Sequence, residues 1–411
     1  MISHPTRDLA LINTAGFLRS FGVGLLGVLL GIYLYRSGLS STAIGLIIAM
    51  GLAGSACATI LMSIAADRTG RKSFLVLLSM LSAVGGIALA LSPSLPVLAT
   101  MAFIGMLNGT GTDRSAAFAL DQAIVPGLVS DTRRTWNLAW YNVLLDSGGS
   151  LGALAAGLPL LLQHHMSLSL LRSYRLVFFG YSVLCVIVAD VYSGLSPNVE
   201  VASARPIASV RTGITPTSRG IVAKITALFS LDAFGGGFLT DALVAYWFFR
   251  RFGIAEQDVG IVFFAVHVLN ACSHLGAAWL ARHIGLVNTM VFTHLPSSLF
   301  LIAVPFAPTL KWAVVLFLCR EALVEMDVPT RQSYVAAVVL PNERTFASGL
   351  TNLARNIFWA VGSAVAGLIM QNLAFSAPLV IGGGTKVAYD LALYRAFRKL
   401  RPPEELERQA T

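Results

Sequence analysis

The side chains able to do chemistry in this chain are few, and they stand where ionisable groups are costly. Arg19, Asp113 and Arg114, Asp146, Asp232, Arg320 with Glu321 and Glu325, and Arg355 all interrupt long apolar runs. An Arg, Lys or Asp at the centre of a membrane helix costs about 2.5–3.5 kcal/mol on insertion scales, so each is expected to be paired or put to use. The use that fits such groups is binding and releasing ions, protons or polar solutes. Bond-breaking chemistry is not expected: no Ser-His-Asp order, glycine-serine elbow or paired-metal motif occurs in a fitting context, and no phosphate-cradling loop supplies nucleotide drive. The chain is therefore not read as an enzyme, and no cofactor is expected.

Spacing suggests how these groups pair. Arg19 lies about ten residues into the first apolar run, and an internal alignment puts Asp232 at the corresponding depth of the seventh. Facing one central cavity, they form a candidate ion pair, either static or opened when substrate or a proton competes for one member. Asp113 and Arg114 are adjacent, so on a helix they point about 100° apart and each needs a partner elsewhere. Glu321 and Glu325, four apart, share one helix face, where a shared proton relieves their repulsion; alternatively Arg320 or Arg355 neutralises them. Asp121 and Arg331 occupy matching places at the ends of two runs, a second opposite-sign pair that reads as a gate or, with Pro329, as a plain helix stop. Asn108, Tyr141, Asn142, His267, Asn352 and Asn356 are candidate cavity-lining residues, with helix–helix hydrogen bonds as the competing reading. No metal site is expected: His164-His165, placed in an outer loop, has no third ligand, and Cys57, Cys185, Cys272 and Cys319 each fall inside an apolar run without paired spacing.

The elements that must position these groups follow from composition. Hydrophobic residues make up 56% of the 411 and charged residues 12%, against about 25% charged in a soluble domain. The net charge of +9 does not mark a nucleic-acid binder, because the basic residues lie between apolar runs and are not interleaved with aromatics. Twelve runs are long enough to cross a bilayer as helices: 9–33, 42–65, 73–92, 96–118, 136–162, 175–194, 222–248, 258–281, 287–306, 311–328, 345–371 and 376–397. The first is expected to be retained, since it lacks a small-residue cleavage site and runs on into a second span. Lys and Arg favour one set of connections by roughly three to one, which predicts both termini inside the cell. The polar stretch with Pro197, Pro206 and Pro216 reads as a cytoplasmic linker, 196–221, between an N-terminal half, 1–195, and a C-terminal half, 222–411.

The halves resemble each other. Phe21-Gly22-Val23-Gly24 matches Phe234-Gly235-Gly236-Gly237, Arg134-Thr135 matches Arg344-Thr345, and Gly152 and Gly157 match Gly362 and Gly367, in the same order. Between the second and third runs stands Ser63-Ile64-Ala65-Ala66-Asp67-Arg68-Thr69-Gly70-Arg71-Lys72. This loop resembles the signature loop of the major facilitator superfamily, with Ser63 in place of its first Gly. Asp67, Arg68, Gly70, Arg71 and Lys72 are then the expected conformational switch, with Gly70 turning the chain. The resemblance implies an all-α membrane protein of twelve transmembrane helices in two pseudo-symmetric six-helix bundles, working by alternating access. Gly148, Gly152 and Gly157 are similar to the glycine-rich antiporter signature of the drug-efflux branch, although Ala153 and Ala156 depart from it and close helix packing explains small residues equally.

The function expected from this reading is secondary active transport of a small organic solute across the cytoplasmic (inner) membrane, by proton-coupled efflux from a monomer in the lipid bilayer. The alternatives are uptake or exchange of an anionic metabolite, served by a cationic cavity, and a non-transporting membrane sensor. The expected topology is directly testable. A phosphatase fused after residue 398 is predicted to be inactive and a fluorescent protein there to fluoresce; the opposite pair of results would reverse the orientation.

Overall fold

The computed structural model describes residues 4–91, 94–113, 115–129, 131–200, 216–328, 330–331, 334 and 344–398, and among them no strand occurs. The helices are α1 (His4–Arg36), α2 (Ser41–Thr69), α3 (Arg71–Leu91), α4 (Leu95–Ile104), α5 (Ala116–Leu128), α6 (Asp131–Leu154), α7 (Leu158–Met166), α8 (Leu170–Ser193), α9 (Pro216–Gly237), α10 (Asp241–Phe252), α11 (Glu256–Ile284), α12 (Leu286–Ala303), α13 (Leu310–Val324), α14 (Arg344–Asn372) and α15 (Ala377–Phe397). They follow the twelve expected runs in order, with the fourth, fifth and seventh each divided in two. His164 and His165, expected in a loop, instead close the last turn of α7. Among the described residues, eight segments are long and apolar enough to cross a membrane on their own.

Burial runs opposite to that of a water-soluble domain. Leu61, Leu77, Val183, Phe292 and Leu391 each keep more than half of their surface exposed, while Asp121 and Asp390 are fully enclosed. Large apolar side chains turned outward on many helices require a hydrocarbon surrounding, and enclosed carboxylates require partners inside.

By contact the chain groups into two compact units. The first comprises Met1–Arg205, Thr240–His267 and Ser363–Gln371, and the second Pro206–Leu239, Val268–Gly362 and Asn372–Thr411. Within the first, α1 crosses α6 so closely that a Cβ on Gly152 would lie 2.0 Å from the Phe21 carbonyl oxygen. Within the second, a Cβ on Gly362 of α14 would lie 2.3 Å from the Phe234 carbonyl of α9. Phe21 and Phe234, like Gly152 and Gly362, are positions that the internal alignment equates, so one backbone contact is built twice. Where lipid supplies no hydrophobic drive between helices, close backbone approach through small residues is what holds them.

The fourth run departs most from expectation. It is not one helix over 96–118: α4 ends at Ile104, and α5 starts only at Ala116. Gly105, Gly109 and Gly111 lower helix propensity there, and Asn and Thr side chains offer the backbone other partners. Asn108 Oδ1 accepts from the Thr110 amide at 2.8 Å while its amide donates to the Thr112 carbonyl at 2.9 Å. Gly111 has φ +78° and no room for a side chain, because a Cβ would meet Asp241 Oδ2 at 1.7 Å. The Ala242 amide, in the first turn of α10, donates to the Gly109 carbonyl at 3.0 Å. Unwound backbone at membrane depth survives where it is buried in protein or lines a cavity, and these bonds satisfy part of this stretch from within the protein. The seventh run breaks in the same way, at 238–240, before Asp241.

The doubled crossing makes a measurable claim. Gly152→Val and Gly362→Val are each expected to lower the thermal unfolding midpoint in detergent, by a destabilisation of about 1–3 kcal/mol. Gly180→Ala, where nothing lies within 4 Å of the added atom, is expected to leave the midpoint in place. Equal midpoints for all three variants and the wild type would refute the packing argument.

Candidate functional site

Two clusters of enclosed charge dominate the interior, one in each unit. In the first, Arg19 reaches from the middle of α1. Its Nε donates to Asp113 Oδ2 at 2.5 Å, and its Nη1 donates to Asp121 Oδ2 at 3.0 Å. Nη1 also donates to the Tyr192 hydroxyl, and Nη2 to the Tyr141 hydroxyl at 3.0 Å. Both hydroxyls pass the interaction on, donating to Asp121 Oδ2 at 2.7 Å from Tyr141 and 2.8 Å from Tyr192. Asp113 can turn toward Arg19 because it lies in the break between α4 and α5. Its Oδ1 accepts from the Ser115 amide at 3.2 Å, next to the serine side chain that caps α5. The expectation that Asp113 and Arg114 diverge along a helix fails on this point: Asp113 is not helical, and Arg114 lies outside the described residues. Beside the cluster is a cavity of about 50 Å³, lined among others by Arg19, Asp113, Asn108, Ser79, Ser82 and Tyr181. It has room for a few waters.

In the second unit Asp232 of α9 is the hub. Lys386 Nζ of α15 donates to its Oδ1 at 2.8 Å, Arg331 Nη1 reaches its Oδ2 at 3.5 Å, and Arg355 Nη2 of α14 lies 3.7 Å from the same oxygen. Arg331 is held more tightly by Asp327, at 2.6 Å. His294 of α12 completes the group. Its Nδ1 donates to Asp390 Oδ1 at 2.9 Å, while Nε2 faces Lys386 Nζ at 3.4 Å and Asp232 Oδ1 at 3.7 Å. Asp232, Asp327 and Asp390 thus meet Lys386, Arg331 and Arg355, and the group is electrically neutral while His294 is neutral. Enclosed charges persist only when matched in this way.

The candidate residues find some expected partners and some others. Arg19 is engaged within the first unit by Asp113 and Asp121, and Asp232 within the second by Lys386 and Arg331, where the internal alignment offers a pair of the two. Asp121 belongs to the cluster of the first unit and Arg331 to that of the second. Arg320 pairs with its neighbour Glu321, one of the two readings of that site. Glu325, the C-cap of α13, keeps helical backbone angles, and its charge acts on Glu321 as the four-residue spacing leads one to expect. Tyr141 is enclosed in the first cluster, and His267 is buried with its Nε2 3.7 Å from Asp241 Oδ2. Asn142 and Asn352 are exposed, while Asn356 and Asp146 are half-buried. At the signature loop Gly70 makes the expected turn at φ +95°. The side chains of Asp67 and Arg68 lie outside the described residues, but the Arg71 and Lys72 amides at the start of α3 both donate to Glu200, at 2.6 and 3.1 Å. Lys72 Nζ also donates to the Leu195 carbonyl at 3.0 Å.

Several members of these clusters are not among the expected residues. Lys386 and Asp390 stand one helical turn apart in the last apolar run, and His294 inside the ninth. The insertion-cost argument applied to Arg19 singles them out equally. At the end of α1 remote from the N-terminus, Arg36 Nη2 binds Glu256 Oε1 at 2.6 Å, and the Tyr174 hydroxyl donates to the same oxygen. Nearby a Cβ on Gly31 would meet the Ala242 carbonyl at 2.2 Å, and one on Gly45 would meet the Ser363 carbonyl at 2.6 Å. At this end of the first unit helices meet at contacts that admit no side chain.

Comparison with known proteins agrees with this architecture. Residues 12–363 match the Major Facilitator Superfamily. The chain is 24% identical over 418 residues to the uncharacterized membrane protein YJR124C of Saccharomyces cerevisiae, covering 94% of this chain and 93% of that one. It is also 24% identical over 281 residues to the multidrug efflux protein YfmO of Bacillus subtilis, covering 68% and 66%. The inward open conformation of the xylose transporter XylE from E. coli superposes with a TM-score of 0.73 at 15% identity, over 98% of this chain and 98% of that one, which shows a common fold. With a family match across most of its length and an all-helical interior built twice on one plan, the chain belongs to the Major Facilitator Superfamily.

Proposed function

We propose that this protein is a secondary transporter that expels a neutral or cationic small organic solute across the cytoplasmic membrane in exchange for protons. The observation that carries the choice of solute is the pairing of the interior arginines with acids: Arg19 with Asp113 and Asp121, Arg331 with Asp327, and Arg320 with Glu321. An anion-binding cavity needs guanidinium groups turned toward solute, and here they are spent on carboxylates. The multidrug efflux protein among its relatives supports the outward direction. The two halves, 1–195 and 222–411 joined through 196–221, exchange access by alternating which mouth is open. In this reading the Arg36–Glu256–Tyr174 contact closes the outer mouth, and the protein works as a monomer with both termini in the cytoplasm.

Purified protein in liposomes with an acidic interior and a trapped pH-sensitive dye tests the proposal. Adding a transported organic cation outside is expected to alkalinise the interior as solute enters and protons leave, whereas organic anions do nothing. Anion-driven flux would favour the anionic-metabolite reading, and silence toward every solute would remove transport. Asp232→Asn takes the charge from the hub of Lys386 and Arg331. It is expected to destabilise the protein by about 3–5 kcal/mol, as for other broken buried pairs, and to abolish the dye response.

A further inference from the structure

We propose that Asp121 is the proton-binding group of the first unit and that it carries its proton on Oδ1. This rests on the proton-coupled reading above and names where one proton resides.

The argument starts from unequal oxygens. Asp121 is fully enclosed, and its Oδ2 accepts three donors, from Arg19, Tyr141 and Tyr192. Its Oδ1 is buried with no hydrogen-bond partner among the described residues. An ionised carboxylate shares its charge between both oxygens, so ionised Asp121 would leave half a charge without a donor in a sealed interior. A neutral acid leaves only an O–H there, a far smaller penalty.

Charge balance points the same way. The groups that face Asp121 are Arg19 from α1, Tyr141 from α6 and Tyr192 from α8, with Asp113 on the far side of Arg19 from the α4–α5 break. Arg114 lies outside the described residues. Among the described residues one guanidinium serves two carboxylates. Asp113 Oδ2 takes the short Nε bond and Asp113 Oδ1 has the Ser115 amide, so both of its oxygens have a donor, whereas Asp121 Oδ1 has none among the described residues and gains by neutralisation. The small cavity beside the cluster is walled by Arg19, Asp113 and Ala117, and Ala117 precedes Asp121 by one helical turn, so water there stands one turn from the carboxyl group. A hydronium ion delivered there gives its proton to Oδ1 and leaves water; release is the reverse. When Arg19 shifts toward Asp121, the proton becomes redundant and departs.

The test reads the carboxyl group directly and needs no substrate. Infrared difference spectra of the purified full-length protein in bilayers are expected to show the carbonyl stretch of a protonated carboxylic acid at neutral pH. That band is expected to vanish in Asp121→Asn. In Asp113→Asn, where Asp121 remains but Arg19 keeps a single carboxylate, the band is expected to be lost at neutral pH and recovered only on acidification. The second variant also stands in if Asp121→Asn does not fold. Wild-type and Asp121→Asn spectra that coincide, or an Asp113→Asn band unchanged in its pH dependence, would overturn the assignment. A band that behaves as expected in a protein showing no proton-linked flux in liposomes would instead sink the coupling and leave the assignment standing.

Discussion

A guanidinium enclosed among helices in hydrocarbon has to bring its counter-charge with it, and Arg19 does so by drawing in four separate segments. Asp113 arrives from the break between α4 and α5, Asp121 from α5, Tyr141 from α6 and Tyr192 from α8. Asp232 plays the same part in the second unit with the sign reversed, collecting Lys386, Arg331, Arg355 and, through Lys386, the His294–Asp390 pair. Such enclosed pairs are close to neutral in net stability, because desolvation offsets attraction. What they provide is a condition that each arrangement of helices must meet: wherever the helices move, every charge needs a partner at the end of the movement. A transporter is well served by that condition, since a bound solute then acts by changing which partner is available.

Packing supplies the other half of the frame. Because the exterior is apolar and so is the lipid, the helices are held by approach rather than by expulsion from water, and the closest approaches run backbone to glycine. The Phe21–Gly152 and Phe234–Gly362 contacts place the first helix of each repeat against the fifth at the same position along its length. That shared crossing sets Arg19 two residues before Phe21 and Asp232 two residues before Phe234, so the two hubs inherit equivalent depths from one packing rule.

Much of this was legible in the sequence and some was not, for reasons of range. The apolar runs, the repeat and the turn at Gly70 depend on local composition and spacing, and the structure follows them. The glycines of the fifth run could be read as signature or as packing, and for Gly148 and Gly152 the near contacts with Phe17 and Phe21 show packing. The charge partners differ from those expected because the repeat points to a pair across it, Arg19 with Asp232, whereas low dielectric rewards the nearest acid, and Asp113 comes near only because its helix is broken. That break is itself hidden. The run 96–118 is apolar enough to pass for a continuous helix, and only the cluster of Gly105, Gly109 and Gly111 with Asn108 argues otherwise. Lys386, His294 and Asp390 are the opposite case, because the cost of burying them is the same as for Arg19 and spacing alone marks them.

The hydrogen bond from the Ala242 amide to the Gly109 carbonyl bears on how the protein is made. The fourth membrane segment emerges from the ribosome with a stretch of unwound backbone that it cannot satisfy alone, and its missing donor belongs to a helix synthesised long afterwards. The break therefore reaches its final form only once α10 has been made, and until then water has to serve the Gly109 carbonyl. A chain truncated after the sixth span would lack that donor and leave the break open to water.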